Sequence, residues 1–234
     1  MNQIDIPTWK SNLKILTAEI GKENAIGIIN QGELEWLERD IHEGAFNSRL
    51  SAIELPSSEA VVLVRYIGPA CPMKVEMQKE LVAERPFFIV LKREKKARII
   101  DFGQHLLDAP LIGMPFIHGA YDCYSVIRRW YWQTYGILLA EIPRDPYWWT
   151  TDENYYIDFF GPVGFREIAK TSIADLRVGD GFICPMEPSM PESHGGIFIG
   201  DGKIIHHMEG HRSGIEPIGK WFDRATRIVR YFPD

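Results

Sequence analysis

Cys123, His194 and His206 are of the types that nucleophilic acyl transfer uses. A thiol becomes a useful nucleophile when its thiolate is stabilised, and a helix N-terminus supplies both a positive dipole end and unpaired N–H donors. The run Asp122 to Tyr135 is aromatic-rich and is ended by Gly136, so it reads as a buried helix with Cys123 in its first turn. Asp122 is placed to cap that helix, but its charge beside the sulfur works against a low thiol pKa, so a nearby imidazolium is needed. The same free N–H groups are suited to hold an oxyanion as a tetrahedral intermediate forms.

The base must come from elsewhere in the chain and stand on a rigid element. His194 to His207 reads as a hairpin about Gly200-Asp201-Gly202, with His194 near its start and His206 twelve positions later. Register decides whether the two meet. A two-residue Asp201-Gly202 turn pairs Gly200 with Lys203 and sends the histidines to opposite faces. A three-residue turn with Gly202 left-handed pairs Ile199 with Lys203 and sets His206 opposite Gly196. His194, Gly196, Phe198, Ile204, His206 and Met208 then share one face, the imidazoles can hydrogen-bond, and that face is expected to meet the start of the Cys123 helix. His194 is then the base and His206 the group that orients it.

The elements that must hold these residues follow from periodicity. Trp9, Leu13, Leu16 and Ile20 recur at helical spacing from Thr8 to Ile20. Ala25 to Ile29, Val61 to Val64, Phe87 to Leu91 and Arg98 to Phe102 read as short strands, with a helix over Val75 to Ala83. These form a small α/β domain over residues 1–103. A second domain over 110–234 begins with the Cys123 helix and continues through the amphipathic segment Asn154 to Phe160. A turn at Leu176 to Asp180 then feeds a strand over Gly181 to Cys184, ahead of the hairpin. Helix first and strands afterwards is an α+β order.

A net charge of −6 argues against a nucleic-acid partner, since such proteins need a basic surface to displace counterions. The basic run Lys92 to Lys96 is broken by Glu94 and borders a strand, so it reads as a solvated turn. Cys71, Cys123 and Cys184 are odd in number and far apart, which suits neither a disulfide framework nor a zinc knuckle. No stretch approaches eighteen apolar residues and the N-terminus lacks a signal-peptide pattern, so no membrane insertion is expected.

The string Tyr121 to Ile127, the Leu176-Arg177-Val178-Gly179-Asp180 turn and Ser193 to His207 together resemble the NlpC-type cell-wall peptidases. More narrowly they resemble the peptidase domain of lambda-type phage tail-assembly proteins, with His118-Gly119 before the cysteine and Trp148-Trp149 after the helix. The resemblance implies a papain-like domain with a Cys123, His194, His206 triad and no cofactor. It implies hydrolysis of amide bonds in peptidoglycan stem peptides, other tail-tip proteins as partners, and a place at the virion tail tip after assembly in the host cytoplasm. A structural module with little or no hydrolysis is the alternative. One departure bears on mechanism: the family's tyrosine upstream of the cysteine has no clear equivalent between Phe116 and Tyr121, which leaves the oxyanion to backbone donors or to a residue that the sequence does not identify.

The N-terminal half resembles a degenerate JAMM-type zinc peptidase domain, with Glu23 and Gly27-Ile28-Ile29 at its start. Where that family carries its ligands this chain has Arg65-Tyr66-Ile67-Gly68-Pro69 and Lys74-Val75-Glu76-Met77, and no histidine lies between His42 and His105. No zinc is expected there, and Glu23 reads as a surface or capping carboxylate. Cys71 and Cys184 read as structural, His207 and His211 as solvated, His118 as a turn residue, and the tryptophan pair as a loop anchor.

Overall fold

The computed structural model describes residues 13, 17–18, 20–92, 97–188 and 190–233. Most of the helix expected over Thr8 to Ile20 and most of the basic run after Lys92 lie outside these residues. The chain divides into two compact units, Met1–His105 and Leu106–Asp234.

In the first unit β1 (Asn24–Asn30), β2 (Glu33–Ile41), β3 (Ala60–Arg65), β4 (Phe87–Leu91) and β5 (Arg98–Phe102) form one sheet in the order β2-β1-β3-β4-β5. Only β3 and β4 run parallel, and the chain between them includes helix α2 (Lys74–Ala83), which follows α1 (Phe46–Ala52). The apolar runs of β3 and β4 are buried throughout. Strand β2 escaped the periodicity reading because four carboxylates and an arginine occupy its nine positions. Its Leu34 and Trp36 nonetheless alternate with charge and pack on the core, as an edge strand with one covered face requires. The segment after β3 is held by Arg65, whose Nη2 donates to the Cys71 carbonyl at 2.7 Å and whose Nε stands 3.4 Å from Glu76. Among the described residues no group of histidine, cysteine and acidic side chains is arranged to hold a metal ion.

The second unit is α+β. Helix α3 (Cys123–Tyr135) and the short α4 (Tyr155–Phe159) precede β6 (Phe165–Ile168), β7 (Gly181–Pro185), β8 (Glu192–Gly200), β9 (Lys203–His206) and β10 (Gly214–Pro217). Helix α5 (Gly219–Arg224) and β11 (Arg227–Tyr231) complete it, and the antiparallel sheet runs β10-β9-β8-β7-β11-β6. Val126, Ile127, Trp130 and Tyr131 of α3 pack on Ile183, Ile197, Ile205 and Val229. The alternate residues Phe182, Cys184, Phe198 and Ile204 form a second core with Ile218 and Trp221. Burying a sheet on both faces is what makes β7 to β9 rigid enough to carry a site. Among the described residues no helix is long and apolar enough to cross a membrane.

The Leu176 to Asp180 turn is a structural knot. Gly179 adopts φ +100°, Asp180 accepts two hydrogen bonds from Arg230 at 2.7 and 2.6 Å, and the Tyr131 hydroxyl donates to the Gly179 carbonyl at 2.6 Å. The turn thereby ties α3 to β11 and fixes where β7 begins.

Candidate active site

Helix α3 starts where it does because Asp122 caps it. Its Oδ1 accepts from the Ser125 N–H at 2.9 Å and the Ser125 hydroxyl at 2.8 Å, while Oδ2 accepts from Gly119 N–H at 2.7 Å and Arg144 Nη2 at 2.6 Å. Burial alone pushes the Asp122 carboxyl up, but Arg144, His118 and the two backbone donors outweigh it and hold the carboxyl far below the usual range. Gly136, at φ +67°, closes the other end of the helix.

Cys123 follows the cap directly. Burial, and then the Asp122 carboxylate beside it, push the thiol up to about 11. The resting sulfur is therefore a thiol, and the opposition between cap charge and thiolate expected from the sequence is present.

The hairpin combines features of the two registers that the sequence allowed. Gly200 pairs with Lys203 across a two-residue turn in which Asp201 has φ +50° and Gly202 φ +66°. A bulge between Phe198 and Gly200 then absorbs one residue, and from Phe198 inward the pairing is Phe198 with Ile204 and Gly196 with His206. The compact turn and the shared histidine face thus coexist, because the bulge restores the side-chain alternation that the turn alone inverts.

His194 and His206 meet: Nε2 of the first lies 3.0 Å from Nδ1 of the second, and both rings are buried. Burial, reinforced by His206, pushes the His194 imidazole down to about 3, so it rests neutral. Trp221 walls both rings, at centroid distances of 5.1 Å to His194 and 4.6 Å to His206. The expectation that the whole histidine face meets the start of α3 does not hold, since α5 and Ile218 cover much of it. Cys123 and His194 instead line a common cavity of about 310 Å³, and His206 stands behind His194 outside its lining.

Beyond His206 lies Glu216, which the sequence reading did not select. Its Oε1 is 3.5 Å from His206 Nε2, and its Oε2 accepts from the Trp221 indole at 3.1 Å and lies 2.8 Å from Lys220 Nζ. The Lys220 contact, against a burial effect, holds Glu216 down at about 2, so it is ionised. The available signal was cross-strand pairing: Glu216 sits opposite Ile204 on β10, beside the strand that carries His206. No apolar period marks so short a strand.

The cavity has other walls. His207, expected to be solvated, is buried and touches Phe116 edge-on, because β9 ends against the segment before α3 and not in water. That segment is clamped to Ser213 by Gly113 N–H at 2.8 Å and Met114 N–H at 3.0 Å. His118 is buried 3.8 Å from Asp122, so it belongs to the cap environment as well as to a turn. Trp148 is buried against Tyr155 at 5.1 Å and anchors its loop, while Trp149 also lines the cavity. Cys71 and Cys184 are buried, and His211 is exposed.

No protein-family model matches the chain. It is 32% identical over 128 residues to the tail tip assembly protein K of Escherichia phage N15, covering 53% of this chain and 50% of that protein. It is 30% identical over 122 residues to the tail tip assembly protein K of Escherichia phage lambda, covering 52% and 59% respectively. The chain thus spans less than two thirds of the length of either relative. Among solved structures it resembles the NlpC/p60 domain of the peptidoglycan hydrolase SagA, at 20% identity and a TM-score of 0.34, over 51% of this chain and 88% of that one. It also resembles an NlpC/p60 family protein from Bacillus cereus, at 14% identity and a TM-score of 0.36, over 90% of this chain and 61% of that one.

Proposed function

We propose that the second unit is a cysteine peptidase acting on amide bonds of peptidoglycan stem peptides, and that the chain works at a phage tail tip with other tail proteins. The observation that carries this reading is the 3.0 Å contact between His194 and His206 beside a cavity that Cys123 also lines. The likeness to tail tip assembly protein K supplies the setting.

In this reading Glu216 accepts from His206 Nε2–H, which leaves Nδ1 of His206 as an acceptor. His194 must then donate through Nε2–H, and its Nδ1 is free to act as the base. His194 Nδ1 takes the Cys123 proton as the sulfur attacks the acyl carbon, and returns it to the departing amine when the tetrahedral intermediate collapses to a thioester. Water then repeats the sequence to release the acid. The test is digestion of purified muropeptides, with mass spectrometry of the products. Cleaved stems from the wild type and none from Cys123→Ala are expected, and equal release from both sinks the assignment.

A second reading, a tail-tip module with little hydrolysis, is favoured by one observation: burial keeps Cys123 a thiol and His194 neutral at rest. Absence of cleavage by the wild type on every stem tested supports it. For the first unit we propose a degenerate JAMM-like domain that docks other tail components without zinc. One equivalent of zinc in the purified protein, lost on Glu23→Gln, overturns that.

A further inference from the structure

Tyr156 is the unexplained polar group at the site. It lies on α4, lines the cavity with Cys123, and its hydroxyl is buried without a nitrogen or oxygen partner. The Cys123 thiol is the hydrogen-bonding group it faces. A thiol is a weak acceptor, so the buried phenol is only partly satisfied at rest and keeps donor capacity for an oxygen that arrives with the substrate. Its ring packs against β8. A Cβ built on Gly195, the residue after His194, lies 3.0 Å from Tyr156 Cε1 and 3.2 Å from Cζ, so the ring is seated on the bare backbone of β8.

We infer that Tyr156 is a catalytic residue, the side-chain donor to the oxyanion formed when Cys123 attacks an acyl carbon. The inference rests on the acyl-transfer reading of Cys123 but not on the cell-wall substrate. When the sulfur bonds to carbon, the carbonyl π pair moves onto oxygen. The Tyr156 hydroxyl and the Tyr124 N–H in the first turn of α3, both beside the Cys123 sulfur, are the donors offered to that charge. When the pair returns, the leaving group departs with the proton held by His194, and Tyr156 keeps its own proton throughout. Burial pushes the Tyr156 phenol well above its ordinary value, with the neighbouring Cys123 adding to the effect, so it is protonated at neutral pH and able to donate. The donor thus comes from the side of the cavity after the cysteine in sequence. On the other side stands Phe116, which has no hydroxyl to offer.

The test separates acyl transfer from thiol reactivity. p-Nitrophenyl acetate acylates a nucleophilic thiol through a tetrahedral oxyanion, whereas iodoacetamide alkylates it without one. For Tyr156→Phe we expect the p-nitrophenol burst from Cys123 to slow about a hundredfold, in the range for loss of one oxyanion donor. Alkylation of Cys123 should stay close to wild type, which also reports that the site is folded. Equal losses in both reactions make Tyr156 a partner of the thiol only and overturn the proposal, as does an unchanged burst or a wild type with no burst. Should the phenylalanine variant unfold, 3,5-difluorotyrosine at position 156, a stronger donor, is expected to speed the burst severalfold. No change then overturns the proposal. Failure of muropeptide digestion alongside a Tyr156-dependent burst removes the cell-wall substrate and leaves this role standing.

Discussion

The Trp221 indole donates to Glu216 at 3.1 Å while its ring packs 4.6 Å from His206, so the side chain that roofs the histidine pair also fixes the carboxylate behind it. His206 and Glu216 are thereby held by a single residue, and the carboxylate gains a geometry that a half-exposed glutamate does not keep unaided.

Glu216→Gln should slow acyl transfer about tenfold, well below the effect of losing a fully buried orienting carboxylate, because Glu216 is partly solvated. An amide can present either its oxygen or its nitrogen to His206, so the imidazole loses its tautomeric preference. The readout is kcat with KM unchanged, together with a displaced imidazole NH resonance for His206. A variant with wild-type kcat and an unmoved resonance shows Glu216 to be a surface anchor for Lys220 and nothing more.

Cys123 should titrate as a suppressed thiol. With burial and Asp122 pushing it to about 11, the thiolate absorbance that distinguishes wild type from Cys123→Ser is expected above pH 9 and not near neutrality. A free thiol in the unfolded chain ionises near 8.5, so this group contributes stability that is present below about pH 8.5 and is lost as pH rises toward 11. A thiolate already present at pH 6 identifies a preformed ion pair with His194 and excludes a neutral resting pair.

The His194 imidazole, lowered to about 3, acts at the other end of the scale. Its unfolded counterpart takes up a proton near pH 6.5, and the folded ring does not until about pH 3. Stability is therefore fully present above pH 6.5 and falls as pH drops through that window, by about 1.4 kcal/mol per unit for this one group. Denaturant unfolding at pH 7, 6 and 5 should show the decline, and His194→Phe should make it shallower. Identical slopes in the two proteins place the acid sensitivity elsewhere.

Much of this arrangement was legible in the residues. The helix from Asp122 with its stop at Gly136 follows from a cap, an apolar face and a left-handed glycine, all local signals. The pairing of His206 with Gly196 was legible because alternation along β8 and β9 allows only two faces. The bulge at Phe198 to Gly200 was not, since neither turn chemistry nor hydrophobic pattern distinguishes a three-residue turn from a two-residue turn plus one extra residue. Burial of His207 was hidden for a different reason: alternation says which face a side chain takes, but not what covers it, and here Phe116 from a distant segment does. Tyr156 and Glu216 were missed because their partners lie 33 and 10 residues away along the chain, and local pattern does not say which distant side chain a residue meets.

Two glycines of the hairpin should respond differently to added side chains, and the difference locates what the site depends on. At Gly202 a Cβ meets nothing within 4 Å, so Gly202→Val costs only the left-handed backbone at φ +66°, about 1–2 kcal/mol. That loss stays at the hairpin tip, because the bulge separates the turn from the histidine pairs, and the p-nitrophenyl acetate burst of the folded protein should be preserved. At Gly196 a Cβ stands 2.7 Å from the Ile205 carbonyl oxygen, 2.7 Å from Phe182 Cε1 and 2.8 Å from His206 Cβ. The first of these is backbone that cannot rotate aside, so Gly196→Ala must push β9 away from β8, at about 1–3 kcal/mol. The shift carries His206 with it and opens the 3.0 Å contact to His194. Comparable destabilisation by the two variants, with acylation lost only in Gly196→Ala, is the expected result. If Gly202→Val loses the burst and Gly196→Ala keeps it, the turn and not the close strand approach sets the geometry of the histidine pair.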